Sequence, residues 1–398
     1  MSLIVFNSAS NPINHCRHNE KLVLHMLRQH HRESKANLAR LAGLTAAAIG
    51  GIVTALEEKG LIRNVGKIQG DMGKPATLYA LLPEGAYGIG VSINRGYIET
   101  IFMDFVGQVV ASKKHRVILP APQAVLTLVL DDIASMAESL SSDITSRLVG
   151  IGVAQPYNIS SWSNDNQDWL AWDDFDLASN LSKAIGLPAQ MQNDANAGAI
   201  AELIYGEKPA ANDFLYFYFG SPMVRSLGGA AVLDGECRSG ASGNAGDIGL
   251  MPMPVDGRYT KAINSEVEPQ LLTHSCSLYS LVCYLRSLGA MVESHDDFDA
   301  YLRQYSADVD AWLEKCVFSL TIAVQSFQAL VDVPEIIIDC EDADAVLIER
   351  IIADLNASLS ACSKRGFVMP VVRKGSFGSQ ASAIGAATVP LDTCFSPK

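Results

Sequence analysis

Three blocks of helical periodicity crowd into residues 20–60, and a short β-patterned stretch follows at once, an order that leaves few folds open. Val23, Met26, Leu27 and His30 recur at helical spacing and predict an amphipathic helix over about 20–31. Ser34 is placed to cap a second helix, which turns Leu38, Leu41 and Ala42 inward and stops at Gly43. Leu44 and Thr45 form a turn into a third, with Ile49, Ile52, Val53 and Leu56 as its buried stripe and Gly60 at its end. Two helices joined by a short glycine-containing turn form the helix-turn-helix pattern. Leu61 and Ile62, a glycine-rich polar loop over 66–75, and Thr77 to Leu82 then read as two strands with a wing between them. Residues 1–82 are therefore predicted to be a winged helix-turn-helix DNA-binding domain.

Charge supports that division. Residues 1–82 hold ten Lys and Arg against five acids, a net of +5, so with −13 over the whole chain the remainder carries −18. Five histidines in the same stretch add positive charge below about pH 6.5. The local excess is the electrostatic footprint of a nucleic-acid-binding module, and the acidic remainder should repel DNA.

The exposed start of the third helix offers Thr45, Ala46, Ala47, Ala48, Gly50 and Thr54, too small for bidentate contacts to guanine or adenine. Base reading should be sparse, with Ala46 and Ala47 meeting thymine methyls and Thr54 beside them. Ser34, Lys35 and Thr45 are expected to contact phosphates, and the wing to add Lys67, Gln69 and Lys74. Lys74, between Gly73 and Pro75, suits a narrow minor groove.

The 398 residues are 48% hydrophobic, enough for two or three globular cores, and no apolar run approaches the ~20 residues of a membrane span. No leader pattern is seen, so a cytoplasmic protein is expected. The eight cysteines are scattered without a C-x-x-C and read as free thiols, mostly small core residues.

From Tyr87 the pattern changes to glycine-punctuated strands at 88–93, 97–104 and 108–113, a helix over about 123–140 and an apolar strand at 148–153. A loop rich in Trp, Asn and Asp spans 157–174. Further strands are expected at 336–339 and 367–372, with helices at 343–356 and from about Gln380, after a helical block over about 274–330. Alternating strands and helices imply an α/β body of two lobes, about 83–190 plus the C-terminal helix and about 191–378.

Within this body, Gln192-Asn193-Asp194-Ala195-Asn196-Ala197-Gly198-Ala199 with Glu202, the run Gly240-x-x-Gly243-x-Ala245-Gly246-Asp247-Ile248-Gly249, and Gly385-Ala386-Ala387 resemble the ROK (repressor, open reading frame, kinase) family. The Gly73-Lys74-Pro75 wing resembles its repressor branch. The resemblance implies actin-like lobes of the sugar-kinase, ribonuclease H-like kind, a sugar held in the cleft, and a homodimer or homotetramer. It also exposes departures. Where the family's kinases carry an acidic, glycine-rich phosphate loop stands Ser92-Ile93-Asn94-Arg95-Gly96, and a second phosphate loop is replaced by Gly220-Ser221-Pro222-Met223-Val224-Arg225-Ser226, whose Pro222 removes an N–H donor. The family's zinc pattern is absent too: its His position is Leu250, and no cysteine lies between Cys237 and Cys276. No zinc, ATP or Mg²⁺ is expected, and no catalytic residues, because phosphoryl transfer depends on positioning and charge neutralisation.

Asp194 stands at the position of the family's catalytic base and becomes an anchor for sugar hydroxyls, with Asn193 beside it as donor and acceptor. Asp247 replaces a glutamate, one methylene shorter, and Glu268 is a further candidate. Asp168 and Asn166 could take hydroxyls, and Trp162, Trp169 or Trp172 could stack on a sugar face. The expectation is a sugar-responsive transcriptional regulator, a repressor, whose partners are a pseudo-palindromic operator and a carbohydrate, with no membrane involved; the alternatives are an active sugar kinase fused to a DNA-binding module and a regulator controlled by a protein partner.

Overall fold

The computed structural model describes residues 16–69, 75–157, 159–162, 166–207, 211–253, 270–294, 298–340 and 345–397. The chain divides into two compact units, one of residues 1–194 with 383–398 and one of residues 195–382.

The first unit opens with α1 (His18–His30), the short β1 (Glu33–Ser34), α2 (Lys35–Ala42), α3 (Ala46–Glu58), β2 (Ile62–Gln69) and β3 (Pro75–Leu81). Ser34 accepts from the Asn37 amide at 3.2 Å to cap α2, Gly43 closes it at φ 63°, and Thr45 caps α3 through the Ala48 amide. Val23, Leu24, Leu27, Leu38, Ile49, Val53 and Leu56 form the core beneath the three helices. The strands pair in the order β1-β3-β2, all antiparallel. The β1 pairing was not visible in the sequence, because two residues of strand carry no periodicity.

The rest of this unit is a five-stranded sheet in the order β6-β5-β4-β7-β8, from β4 (Tyr87–Ile93), β5 (Tyr97–Met103), β6 (Val109–Arg116), β7 (Leu148–Ala154) and β8 (Ala189–Gln192). Strands β4, β5 and β6 run antiparallel in sequence, while β7 and β8 join parallel to β4. The helices α4 (Pro122–Ser139), α5 (Ser142–Ser146), α6 (Gln167–Leu170) and α7 (Leu177–Ile185) lie between strands in sequence. Strand β6 continues to Arg116, past the expected end at Lys113. Its half-buried Lys113 and His115 are met by the buried Asp132 of α4, at 3.7 Å from Nζ and 2.8 Å from Nε2.

The second unit begins within α8 (Asp194–Tyr205) and repeats the plan with β9 (Phe214–Phe219), β10 (Leu227–Leu233), β11 (Glu236–Cys237), β12 (Glu335–Cys340) and β13 (Val371–Lys374), in the order β11-β10-β9-β12-β13. Again three strands are antiparallel and two are added parallel. The helices are α9 (Thr273–Cys276), α10 (Leu278–Ser287), α11 (Phe298–Gln304), the 26-residue α12 (Ser306–Val331) and α13 (Ala345–Cys362). β13 starts later than the expected 367–372, because Lys364 and Phe367 exchange backbone hydrogen bonds in a turn of their own.

The last helix, α14 (Ala381–Phe395), leaves the second unit at Ser382 and completes the first. Glycines receive it. A Cβ at Gly90 would stand 2.1 Å from the Ala383 carbonyl oxygen, one at Gly152 1.8 Å from that of Ala386, and one at Gly88 2.3 Å from that of Ala387. No single helix among the described residues is long and apolar enough to cross a membrane.

Candidate functional site

The exposed face of the N-terminal module is built of small side chains held by internal hydrogen bonds. Ala46 and Ala47 open α3 on the surface. The exposed Thr54 hydroxyl donates to the Gly50 carbonyl at 3.1 Å, so it is engaged within its own helix. Ser34 and Thr45 use their hydroxyl oxygens as caps, each accepting one N–H and leaving the first amides of its helix without an intrahelical partner. Lys35 extends over the Tyr79 ring, its Nζ 5.1 Å from the centroid, which fixes the charge above β3. Lys67 is exposed on β2, after a bulge in which the Asn64 side chain accepts from the Gly66 amide at 2.9 Å. Gln69 pairs with Pro75 through the backbone, while Lys74 lies outside the described residues.

Two cations missing from the sequence-based candidates emerge here. Arg40 holds the Asn37 side-chain oxygen through Nε at 3.1 Å and Nη2 at 2.7 Å, and the Asn37 amide donates to Glu33 at 2.6 Å. This chain fixes a guanidinium on the exposed side of α2. Its signal was the i, i+3 and i, i+4 spacing of Glu33, Asn37 and Arg40. Arg63 is exposed on β2.

The module is joined firmly to the sheet that follows it. Arg147 donates through Nη1 to the Gly85 carbonyl at 2.9 Å and the Gly60 carbonyl at 3.3 Å. Arg28 of α1 is buried against Asp392 at 3.5 Å and lies over the Phe105 ring, itself packed edge-on against Phe395. Lys21 donates to the Thr393 carbonyl at 3.2 Å.

Of the ligand candidates in the first unit, Asn193 and Asp194 sit half-buried at the carboxyl end of β8, with Asp194 as the first residue of α8. The carboxyl ends of parallel strands are where α/β sheets place ligands. Asn166 caps α6, accepting from the Asp168 amide at 3.0 Å, and Asp168 is exposed in the first turn of that helix. Two of the tryptophans bond nearby backbone: the Trp169 indole N–H donates to the Leu119 carbonyl at 3.0 Å and that of Trp172 to Pro120 at 3.1 Å. Both pack with the core of this unit. The Trp162 side chain lies outside the described residues.

In the second unit Asp247 is half-buried in a glycine-rich turn just before the 3₁₀ turn at 248–250. Gly246 takes φ 87°, and a Cβ there would meet the Ala230 backbone at 2.7 Å, while one at Gly249 would lie 2.1 Å from the Leu227 carbonyl oxygen. Only glycine lets this turn rest on β10 and hold Asp247 in place. The neighbouring 220–226 loop spends its own donors: Met223 N–H on the Ser221 hydroxyl, Val224 N–H on the Ser221 carbonyl and Gly220 N–H on the Ser226 carbonyl. Glu268 lies outside the described residues.

The zinc implied by the resemblance does not fit these residues. Leu250 stands at the histidine position, half exposed. Cys276 is buried, its thiol facing the Cys316 carbonyl at 3.4 Å. Burial pushes the Cys237 thiol up to about 12, far from the thiolate a metal needs.

Residues 88–392 match the ROK family, and the chain belongs to it. The uncharacterised protein y4fQ of Sinorhizobium fredii is 25% identical over 95% of this chain and 91% of its own length. The xylose repressor of Bacillus spizizenii is 24% identical over 60% of this chain and 61% of its own length, and the repressor Mlc of Escherichia coli 23% over 54% and 53%. With those two repressors the match thus spans less than two thirds of the relative. A crystal structure of a ROK family transcriptional regulator, a homologue of E. coli Mlc, superposes with a TM-score of 0.69 at 21% identity, over 95% of this chain and 96% of that one. A ROK family glucokinase from Streptomyces griseus, solved with glucose and AMPPNP, gives 0.59 at 18% over 76% and 99%. The body therefore has the actin-like sugar-kinase fold of the ROK family, with its α/β sheets.

Proposed function

We propose that the protein is a sugar-responsive, DNA-binding transcriptional regulator acting as a repressor, and that its body senses a carbohydrate without phosphorylating it. The observation that carries the reading is the union, in one compact unit, of a capped and exposed helix pair with a ROK-family sheet through Arg147, Arg28 and Lys21. A module fixed in this way moves with the body that holds it. The names of the repressor relatives support the same reading.

The 220–226 loop favours sensing over phosphoryl transfer, since three of its amides, those of Gly220, Met223 and Val224, are turned on its own oxygens and Pro222 has none. On this reading Ser34, Lys35, Thr45, Arg40 and Lys67 meet phosphates, and Ala46, Ala47 and Thr54 face the bases. Lys74 and Gln69 belong to the wing. Asn193, Asp194 and Asp247 take sugar hydroxyls, with Asn166, Asp168 and Glu268 as outer contributors. A homodimer or homotetramer would present paired modules to a pseudo-palindromic operator, and the cytoplasm is the compartment in which such a protein works.

Asp194→Asn is expected to weaken the ligand response about tenfold, with operator affinity unchanged, because a hydrogen bond to a charged acceptor contributes about 1.5 kcal/mol or more. Titration of sugar against operator release reads it, and equal responses in variant and parent would remove Asp194 from the site. Lys74→Ala should reduce the slope of log affinity against log salt by about 1, measured by anisotropy on duplex DNA, and an unchanged slope would take the wing off the contact surface. The whole reading is tested by a thermal-shift screen of mono- and disaccharides, followed by operator binding with each hit. A ligand at 100 times its Kd adds about 2.7 kcal/mol of stability. Stabilisation without any effect on DNA binding, or ADP release with any sugar, would overturn it.

A further inference from the structure

Within the second unit, two fully buried carboxylates from different elements hold one short segment of backbone. Glu202 of α8 accepts from the Ser376 backbone N–H, the Ser376 hydroxyl at 3.3 Å and Arg373 Nη1 at 3.3 Å. Asp339 of β12, 1% exposed, accepts from the Gly378 N–H at 2.8 Å and the Tyr216 hydroxyl at 3.2 Å. The segment wraps Asp339 so closely that a Cβ at Gly375 would stand 2.5 Å from its Oδ2.

The charges do not balance. Arg373 divides its guanidinium between Glu335, at 2.6 Å from Nε, and Glu202. Lys374 turns to Glu349 at 3.1 Å. Among the described residues the groups bonded to Asp339 are Tyr216 from β9 and backbone amides of the segment, and none of them is a cation. Burial, followed by the negative charge of Glu202, raises its carboxyl to about 7, and the amide and phenol hydrogen bonds pull the other way.

We propose that Glu202, Asp339 and Arg373 form a proton-operated latch on residues 375–378, tight while Asp339 holds a proton and loosened when both carboxyls are ionised. The sign follows from linkage. A carboxyl whose value is raised in the closed state takes up a proton on closing between its ordinary value and the raised one, so closure weakens as pH climbs through that window and levels off above it. The segment leads straight into α14 at Ala381, and the far end of α14 carries the Asp392 and Thr393 contacts to α1. The latch therefore sets how firmly that helix is anchored at its start. This inference rests on the geometry of the second unit and does not require DNA or sugar binding.

Hydrogen exchange of the full-length protein, read on peptides covering 373–381 and corrected for intrinsic exchange, tests it. Opening of the segment should rise on the order of tenfold from pH 5.5 to 7 and flatten above pH 8. Asp339→Asn, which keeps the acceptor oxygen without the charge, should make the profile flat. Glu202→Gln, which removes the adjacent charge, should shift the rise to lower pH. A flat profile in the parent, or an unchanged rise in Asp339→Asn, would overturn the latch.

Discussion

Alanine at Gly152 is expected to destabilise the first unit by about 3 kcal/mol, the upper range for forcing extra volume into a packed core. The new methyl would lie 1.8 Å from the Ala386 carbonyl oxygen, and it cannot swing aside, because the obstacle is backbone within a helix. Either α14 lifts from β4 and β7 or the sheet gives. Gly51→Ala is the control: nothing lies within 4 Å of its Cβ position in α3, so it should raise stability by about 0.5 to 1 kcal/mol through helix propensity. Urea unfolding followed by tryptophan fluorescence separates them, since Trp169 and Trp172 report on this unit. A Gly152→Ala midpoint equal to the parent's would show that α14 is not seated as described.

Ala47→Glu is expected to weaken operator binding on the order of 100-fold while leaving stability within about 0.5 kcal/mol of the parent. The residue is exposed in the first turn of α3, where a carboxylate favours the helix, so folding tolerates it. Against a duplex the same charge meets phosphates and base acceptors, which repel it. The measurement is anisotropy on duplexes selected from a random pool by the parent protein. An unchanged affinity would move the reading surface away from α3.

Much of the N-terminal module was legible because its signals are local. Ser34, Gly43, Thr45 and Gly60 punctuate the helices where capping chemistry says they should, and each helix boundary fell within about two residues, whereas β2 runs on to Gln69 through residues read as wing loop. The body's strands were legible as apolar runs between glycines. What escaped the sequence depended on partners far along the chain. The extension of β6 needed Asp132, the late start of β13 needed the turn at Lys364 and Phe367, and two of the three tryptophans offered as platforms for sugar, Trp169 and Trp172, donate their indole N–H groups to Leu119 and Pro120. Among the candidate site residues, Asn193, Asp194 and Asp247 were found by motif, whereas the Glu33–Asn37–Arg40 chain was overlooked because charge alone does not reveal which cation is held in place.

Helix caps and apolar periods, readable within a few residues, determined most of the elements and the small-residue face of α3, and the Gln192–Ala199 and Gly240–Gly249 motifs carried the resemblance to the family. Only the tertiary structure decided that glycines of β4 and β7 seat the last helix, that Arg28 and Arg147 bind the N-terminal module to this unit, and that Asp339 is buried with no cation bonded to it among the described residues. The reason is physical. Short-range stereochemistry sets the conformation of a segment, but burial, charge balance and steric clearance are properties of neighbours that only folding brings together.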